Sequence, residues 1–403
     1  MGSLLDSLHQ TLGDTLFTFA FSPLVKIAVL LFGGILPLIT YLVLAERKIL
    51  GYMQARLGPN RVGPWGILQP IADVMKLLVK EDTLPTRAVK WAFILAPCLV
   101  VGSALVIFAV IPIGPKAGEL GPLNWFITDV NTGLLFVVAF ATIGVYGLII
   151  GGWASNNKFS LMGGMRSAAQ MISYEVPQGL ALVGPLMLAG TMSLVGIVNA
   201  QKNMEWWFVF PQIISFFIYF VAGVAESNRN PFDLPEAESE LVAGYHTEYS
   251  AMKFAFFMLA EYSSMIVNCC LMVSLFFGGW TLAINGYGLT TGVLRGMGLF
   301  GGILGALIFI TKVMVFMLMY IWFRATFPRF RFDQLMDLGW KWMIPLALAN
   351  IAVTAIVVLL GQELNFQGEV VLSIAGAAII AFTLFLLLRP RAKVSHARRV
   401  SEA

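Results

Sequence analysis

The sequence predicts an all-α polytopic membrane protein of about nine transmembrane helices, with the N-terminus outside and long cytoplasmic loops carrying interfacial helices. Three observations support this: an extreme apolar composition, nine apolar runs long enough to cross a bilayer, and a one-sided distribution of basic residues. Of 403 residues, 58% are hydrophobic and only 12% charged. A soluble domain carries about 25% charged residues, so a soluble fold is excluded.

A bilayer core about 30 Å thick needs roughly 20 apolar residues in helical form, because every backbone polar group must be satisfied within the segment. Runs of that kind lie near residues 23–45, 92–113, 132–154, 171–197, 206–225, 254–277, 298–322, 340–361 and 370–388. With the N-terminus outside, the inner loops and tail hold 20 Lys and Arg and the outer loops hold 3 (Lys116, Lys202 and Arg295), which sets the orientation. The same rule explains the net charge of +4, so a nucleic-acid partner is not expected. The first 22 residues lack a basic n-region and a small-residue cleavage site; Leu5, Leu8, Leu12, Leu16 and Phe19 recur at helical spacing, as in an interfacial segment. The chain divides into that segment (1–22), an eight-span domain (23–361), and a ninth span with a basic tail (362–403).

Redox-centre ligands are scarce. Cys98, Cys269 and Cys270 sit in apolar runs with no iron–sulfur spacing, and His9, His246 and His396 are far apart, so no metal site is expected.

Two inner loops are unlike plain connectors. Loop 46–91 opens with AERKILGYMQARLGPNRVGPWGILQPIADVMKLLVKED (45–82), mixing Gly-Pro turns with apolar helical stretches. Its Arg56 and Arg61 suit acidic groups on a docked partner or lipid headgroups. Asp73 and Lys76 stand i,i+3 on one helical side, where a solvated ion pair is as natural as a functional one. Loop 226–253 reads ESNRNPFDLPEAESELVAGYHTEYSAMK and carries Glu226, Asp233, Glu236, Glu238, Glu240 and Glu248 against two basic residues. These acids alternate with Pro, Leu, Ala, Val and Tyr, so some are expected to be partly buried, where crowding raises their proton affinity.

Ionisable groups inside the spans are costly and therefore informative. Glu175, Glu226 and Glu261 lie toward the same, inner side in spans four, five and six. A row of carboxylates reaching from an acidic loop into a bundle is what a proton or cation relay requires; neutralised acids serving helix packing are the plainer alternative for any one of them. Lys312, mid-span in ITKVMVF, is expected to face a carboxylate or a water-filled pocket.

AERKILGYMQARLGPNRVGPWGILQPIADVMKLL, followed much later by AESNRNPFDLPEAESELVAGYHTEYS, resembles the two diagnostic loops of the quinone-cavity membrane subunit of respiratory complex I, called subunit 1 in mitochondria. The likeness covers roughly residues 20–360. It implies a membrane component of proton-pumping NADH:quinone oxidoreductase, docked under two soluble subunits that bring the terminal iron–sulfur cluster and the quinone-headgroup ligands. Small membrane subunits and antiporter-like subunits would be further partners. Ubiquinone or menaquinone would be the substrate, with FMN and iron–sulfur clusters only in partners. Residue by residue, it implies a quinone tunnel at Arg47, Gln54, Arg56 and Phe232. It likewise implies an acidic relay at Asp73, Glu175, Glu226, Asp233, Glu236, Glu238, Glu248 and Glu261. Arg229 and Lys312 are candidates for either a relay or a structural role.

The ninth span and the tail RPRAKVSHARRV exceed the family's usual eight spans and favour a bacterial plasma membrane over a mitochondrial inner membrane. Two alternatives remain at this level. A hydrogenase-type or other donor-dependent homologue would be told apart by its soluble partners. A secondary transporter, with its intramembrane acids and broken helices, would function alone.

Overall fold

The computed structural model describes residues 27–116, 125–204, 206–234, 242–282 and 299–364, together with Val371, Leu372 and Gly376. Among them every regular element is helical. A π-helical turn, Val29–Ile35, runs into α1 (Leu36–Met53). There follow α2 (Gln69–Val79), α3 (Lys90–Ile107), α4 (Gly133–Ala154), α5 (Lys158–Ala189) and α6 (Leu194–Met204). The chain continues through α7 (Ile213–Glu226), α8 (Ala251–Phe276), α9 (Leu299–Thr326), α10 (Phe332–Asp337) and α11 (Ile344–Leu364).

Among the described residues, five helical stretches are long and apolar enough to cross a membrane, and six if the pair α5 and α6, bent by 54°, counts as one span. The chain is a polytopic all-α membrane protein. Expected segments 1–22 and most of 362–403, the ninth span included, lie outside the described residues. Of the other expected spans, 206–225 appears as α7, whose 14 residues rise only about 21 Å and cannot cross about 30 Å of hydrocarbon alone. The expected span 171–197 begins earlier, at Lys158, because Asn157 caps the helix by accepting from the Phe159 N–H at 3.0 Å. It ends at Gly190, whose φ of +66° a side chain would resist.

Burial ranks the helices. Of the α8 apolar window 72% is buried, against 22% for Phe332–Leu360, so α8 runs through the middle of the bundle and the last span through its edge. α5 is the second hub, packing on α4, α6, α7, α11 and the turn Gly244–His246. The turn approaches so closely that a Cβ on Gly163 would lie 2.6 Å from the Gly244 Cα. Helix α2 leaves Ile71, Met75 and Leu78 exposed, as expected of an interfacial helix.

Non-helical backbone at membrane depth survives only where protein satisfies it. The turn after α8 is held from two sides. Gln201 accepts from the Phe208 and Gly278 N–H groups at 3.2 and 2.9 Å and donates to the Ser274 carbonyl at 2.8 Å. Lys312 Nζ donates to the carbonyls of Phe277, Gly279 and Thr281 at 2.7, 2.9 and 2.5 Å, and lies 4.9 Å from the Trp207 ring centroid. This corrects the expectation of a carboxylate or water-filled pocket around Lys312. The cation sits in the turn that follows α8 and supplies donors to carbonyls at and beyond the helix end. Lys312→Met should leave those carbonyls without their donor and cost about 2 kcal/mol, read as a lower melting temperature of the solubilised assembly.

Candidate functional site

Two buried polar groups flank α8. The first forms because α1 does not stop at residue 45 but continues to Met53, carrying Glu46 into the bundle at 4% exposure. Glu46 Oε1 accepts from Arg324 at the end of α9 and from Arg229 at 3.4 Å, while Oε2 accepts from the Tyr262 hydroxyl at 2.7 Å. The Arg229 guanidinium lies 4.2 Å from the centroid of the Tyr262 ring. Burial works against the Arg229 charge, but Tyr262, Glu46 and Glu261 outweigh it and raise its pKa above the ordinary value. Arg229 therefore remains a cation between two carboxylates.

Glu261, one residue before Tyr262 on α8, accepts from the Tyr245 hydroxyl at 2.7 Å and stands 3.6 Å from His246 Nε2. The His246 ring is packed between Tyr245, at a centroid separation of 3.9 Å, and Phe257, at 5.3 Å. The second loop reaches this position by folding back on α5, where Ser160 donates to the Tyr245 carbonyl at 3.3 Å and Asn157 donates to Glu248 at 2.6 Å. Tyr249 donates to the Phe93 carbonyl at 3.3 Å, and burial pushes its phenol above the ordinary range, so it stays a donor.

The second group surrounds an internal cavity of about 60 Å³ lined by Glu175, Gln178, Tyr219, Glu226 and Asn268 among apolar residues of α3, α4 and α8. Glu175 accepts from Thr142. Asn268 donates to Glu226 at 3.1 Å and its carbonyl oxygen accepts from Gln178 at 3.1 Å and Tyr219 at 3.2 Å. Glu261 and Asn268 are seven residues apart on α8, two turns on nearly one face and about 10 Å along the axis, so one helix links the two groups.

The remaining expected residues lie apart. Asp73 bonds Arg47 at 2.7 Å and Gln69 at 3.0 Å, rather than the exposed Lys76 that stands i,i+3 from it. Arg56 donates to Gln54 at 2.7 Å on an exposed turn. Phe232 is buried, its ring 5.7 Å from Tyr174 and 5.5 Å from Phe330, and Asp233 pairs with Arg329 at 3.0 Å. Gln170 pins this stretch by donating to the Ala225 and Phe232 carbonyls, both at 2.8 Å. Glu236 and Glu238 lie outside the described residues. Among those described, no group of three or more His, Cys, Asp or Glu is placed to hold a metal.

Glu46, Tyr262, Asn268 and Arg324 are the site residues that sequence reasoning missed. An intramembrane Asn in the run SSMIVNCCLMV was the available signal for Asn268; Glu46 had none, since AERK looks like a solvated loop start. Arg229→Met should leave Glu46 and Glu261 buried without their shared cation and cost about 3 kcal/mol, seen as early melting of the complex. Adding Glu46→Gln should restore part of that loss.

The model of the NADH dehydrogenase family matches residues 25–355. The H subunit of NADH-quinone oxidoreductase from Magnetococcus marinus is 48% identical over 345 residues, covering 86% of this chain and 93% of the relative. That of Bacillus thuringiensis is 48% identical over 332 residues, covering 82% and 92%. With a family match over residues 25–355 and relatives 48% identical over more than four fifths of its length, the chain belongs to the H-subunit family of NADH-quinone oxidoreductase, respiratory complex I.

Proposed function

We propose that this protein builds part of the quinone tunnel and carries the acidic relay that couples quinone reduction to proton translocation. The observation that carries the reading is the two-part polar core: an Arg229-centred ion cluster at one level of α8 and a cavity with two carboxylates two turns away. Carboxylates this close in a low-dielectric setting titrate as a coupled set, so a charge change at one end alters proton occupancy at the other.

A charge change beside Glu46 and Arg229 would be felt first by Glu261, which Tyr245 and His246 hold in place. Glu226 and Glu175 would respond next, with Asn268 and Thr142 as the hydrogen-bond partners that orient them. A cavity of about 60 Å³ has room for a few waters, and its polar lining offers them partners between the two carboxylates. Arg229, held between two acids, sets how much negative charge the cluster tolerates before a proton must be taken up.

On the quinone side, Arg47, Gln54 and Arg56 would form the tunnel wall, with Phe232 beside it, and Asp73, Asp233, Glu236, Glu238 and Glu248 would form the outer relay. The substrate would be ubiquinone or menaquinone. Electrons would come from FMN and iron–sulfur clusters in partner subunits. The surface fits a docked soluble partner: Leu57 and Trp65 are 76% and 79% exposed on the first loop, amid Lys48, Arg56 and Arg61. Small membrane subunits and antiporter-like subunits would receive the relay's output, and a bacterial plasma membrane would be the setting. A quinone acceptor, rather than the hydrogenase alternative, agrees with the names of the relatives.

Glu175→Gln, Glu226→Gln and Glu261→Gln should each assemble and lower quinone reduction or proton pumping ~100-fold or more, the scale on which a positioned acid or base acts. The measurement is NADH:quinone activity and proton uptake in vesicles containing the variant complex. Full activity in all three variants ends the relay proposal.

A further inference from the structure

The seam between α1 and α9 contains a second, larger cavity of about 220 Å³ that the polar core does not use. Its floor includes Ile35, Phe108, Cys270 and Met317, all at most 7% exposed. Its rim is formed by Gly34, Leu38, Ile310 and Met314, which are exposed on helices that face hydrocarbon. An apolar cavity of about 150 Å³ already takes a benzene-sized guest, so this one accommodates a run of methylenes.

The mouth coincides with a local irregularity. Residues Val29–Ile35 form a π-helical turn, a feature that often marks functional positions, and Gly34 lies in it. A Cβ on Gly34 would meet nothing within 4 Å, so glycine is not required there by packing; its missing side chain is what keeps the mouth wide.

We infer that this crevice is a binding site for one acyl chain of a membrane phospholipid, which enters sideways from the bilayer and packs between α1 and α9. Water is a poor occupant, since a water needs two to four polar partners and the lining residues are apolar. An empty void forfeits dispersion contacts on every wall while liquid hydrocarbon stands at its rim. The crevice is continuous with the lipid-facing surface of α1 and α9 and so fills from there. Position decides between a phospholipid and an isoprenoid tail. Gly34 is twelve residues before Glu46 on one nearly continuous helix, and Met314 ten before Arg324 on another, which places the crevice about 15–18 Å from the ion cluster toward the opposite membrane face. An acyl chain from the leaflet on that far side reaches this depth; a tail whose headgroup docks near the ion cluster lies in the nearer half. The occupied crevice then sets the spacing of the two helices that carry the paired Glu46 and Arg324.

The test uses the whole complex in vesicles of phosphatidylcholine bearing a diazirine on one acyl chain, irradiated and mapped by peptide mass spectrometry. Labels should fall on Ile35, Cys270 and Met317 several-fold more than on Leu135, a lipid-exposed control on α4. They should be largely lost in Gly34→Leu or, if that variant does not assemble, in Leu38→Trp. Three results overturn the inference: unlabelled floor residues, labelling unchanged by the filling variants, or preferential labelling by a diazirine-bearing isoprenoid probe in place of the phospholipid.

Discussion

Arg229 leaves water to stand beside Glu46 and Glu261, with Tyr262 beneath its guanidinium, and taking three such charges out of water costs several kcal/mol for each ion. That cost is offset only when every partner arrives together. Glu46 comes from α1, Arg324 from α9, Glu261 and Tyr262 from α8, and Tyr245 and His246 from the second loop. The ion cluster therefore ties four separate stretches of chain to one arrangement. A loop whose backbone contains Pro231, Pro235 and several acids would otherwise have little reason to fold back onto a membrane bundle.

The rest of the polar interior follows from that fixed point through α8. Its burial brings Asn268 against Glu226 two turns beyond Glu261, and its far end is closed by Lys312 and Gln201. The short α7 and the bend at Gly190 interrupt the helical backbone hydrogen bonding, and the same region is rich in polar amide side chains. Asn350 donates to Gln212 and Ser215 at 2.8 Å each, and Gln212 donates to Thr354 at 2.9 Å. A bundle of uniformly apolar spans would need none of these residues. Their presence goes with interrupted helices, and interrupted helices leave room for an internal polar cavity.

The acids inside apolar runs were legible because hydrocarbon leaves them conspicuous. Glu175, Glu226 and Glu261 stand out on hydropathy alone, and all three stand in polar surroundings inside the bundle. Glu46 was not legible, since three charges in a row ordinarily end a span, and only the continuation of α1 to Met53 carries the carboxylate inward. Asp73 has Lys76 at the right helical spacing, yet its partner is Arg47, 26 residues away, because folding of the first loop brings that guanidinium closer. Lys312 invited an acidic partner, and three carbonyls of the turn after α8 take that place.

Taken alone, the sequence determined that the chain is an all-α membrane protein, because hydrophobic run length acts locally and needs no knowledge of neighbours. It also marked Glu175, Glu226 and Glu261 as energetically out of place, though not Glu46. Tertiary structure decided how they are grouped: one set around Arg229, another around a cavity, and others paired singly at the rim. Grouping depends on distances between helices remote in sequence. Those distances follow from packing of the whole bundle, which no local pattern of residues encodes.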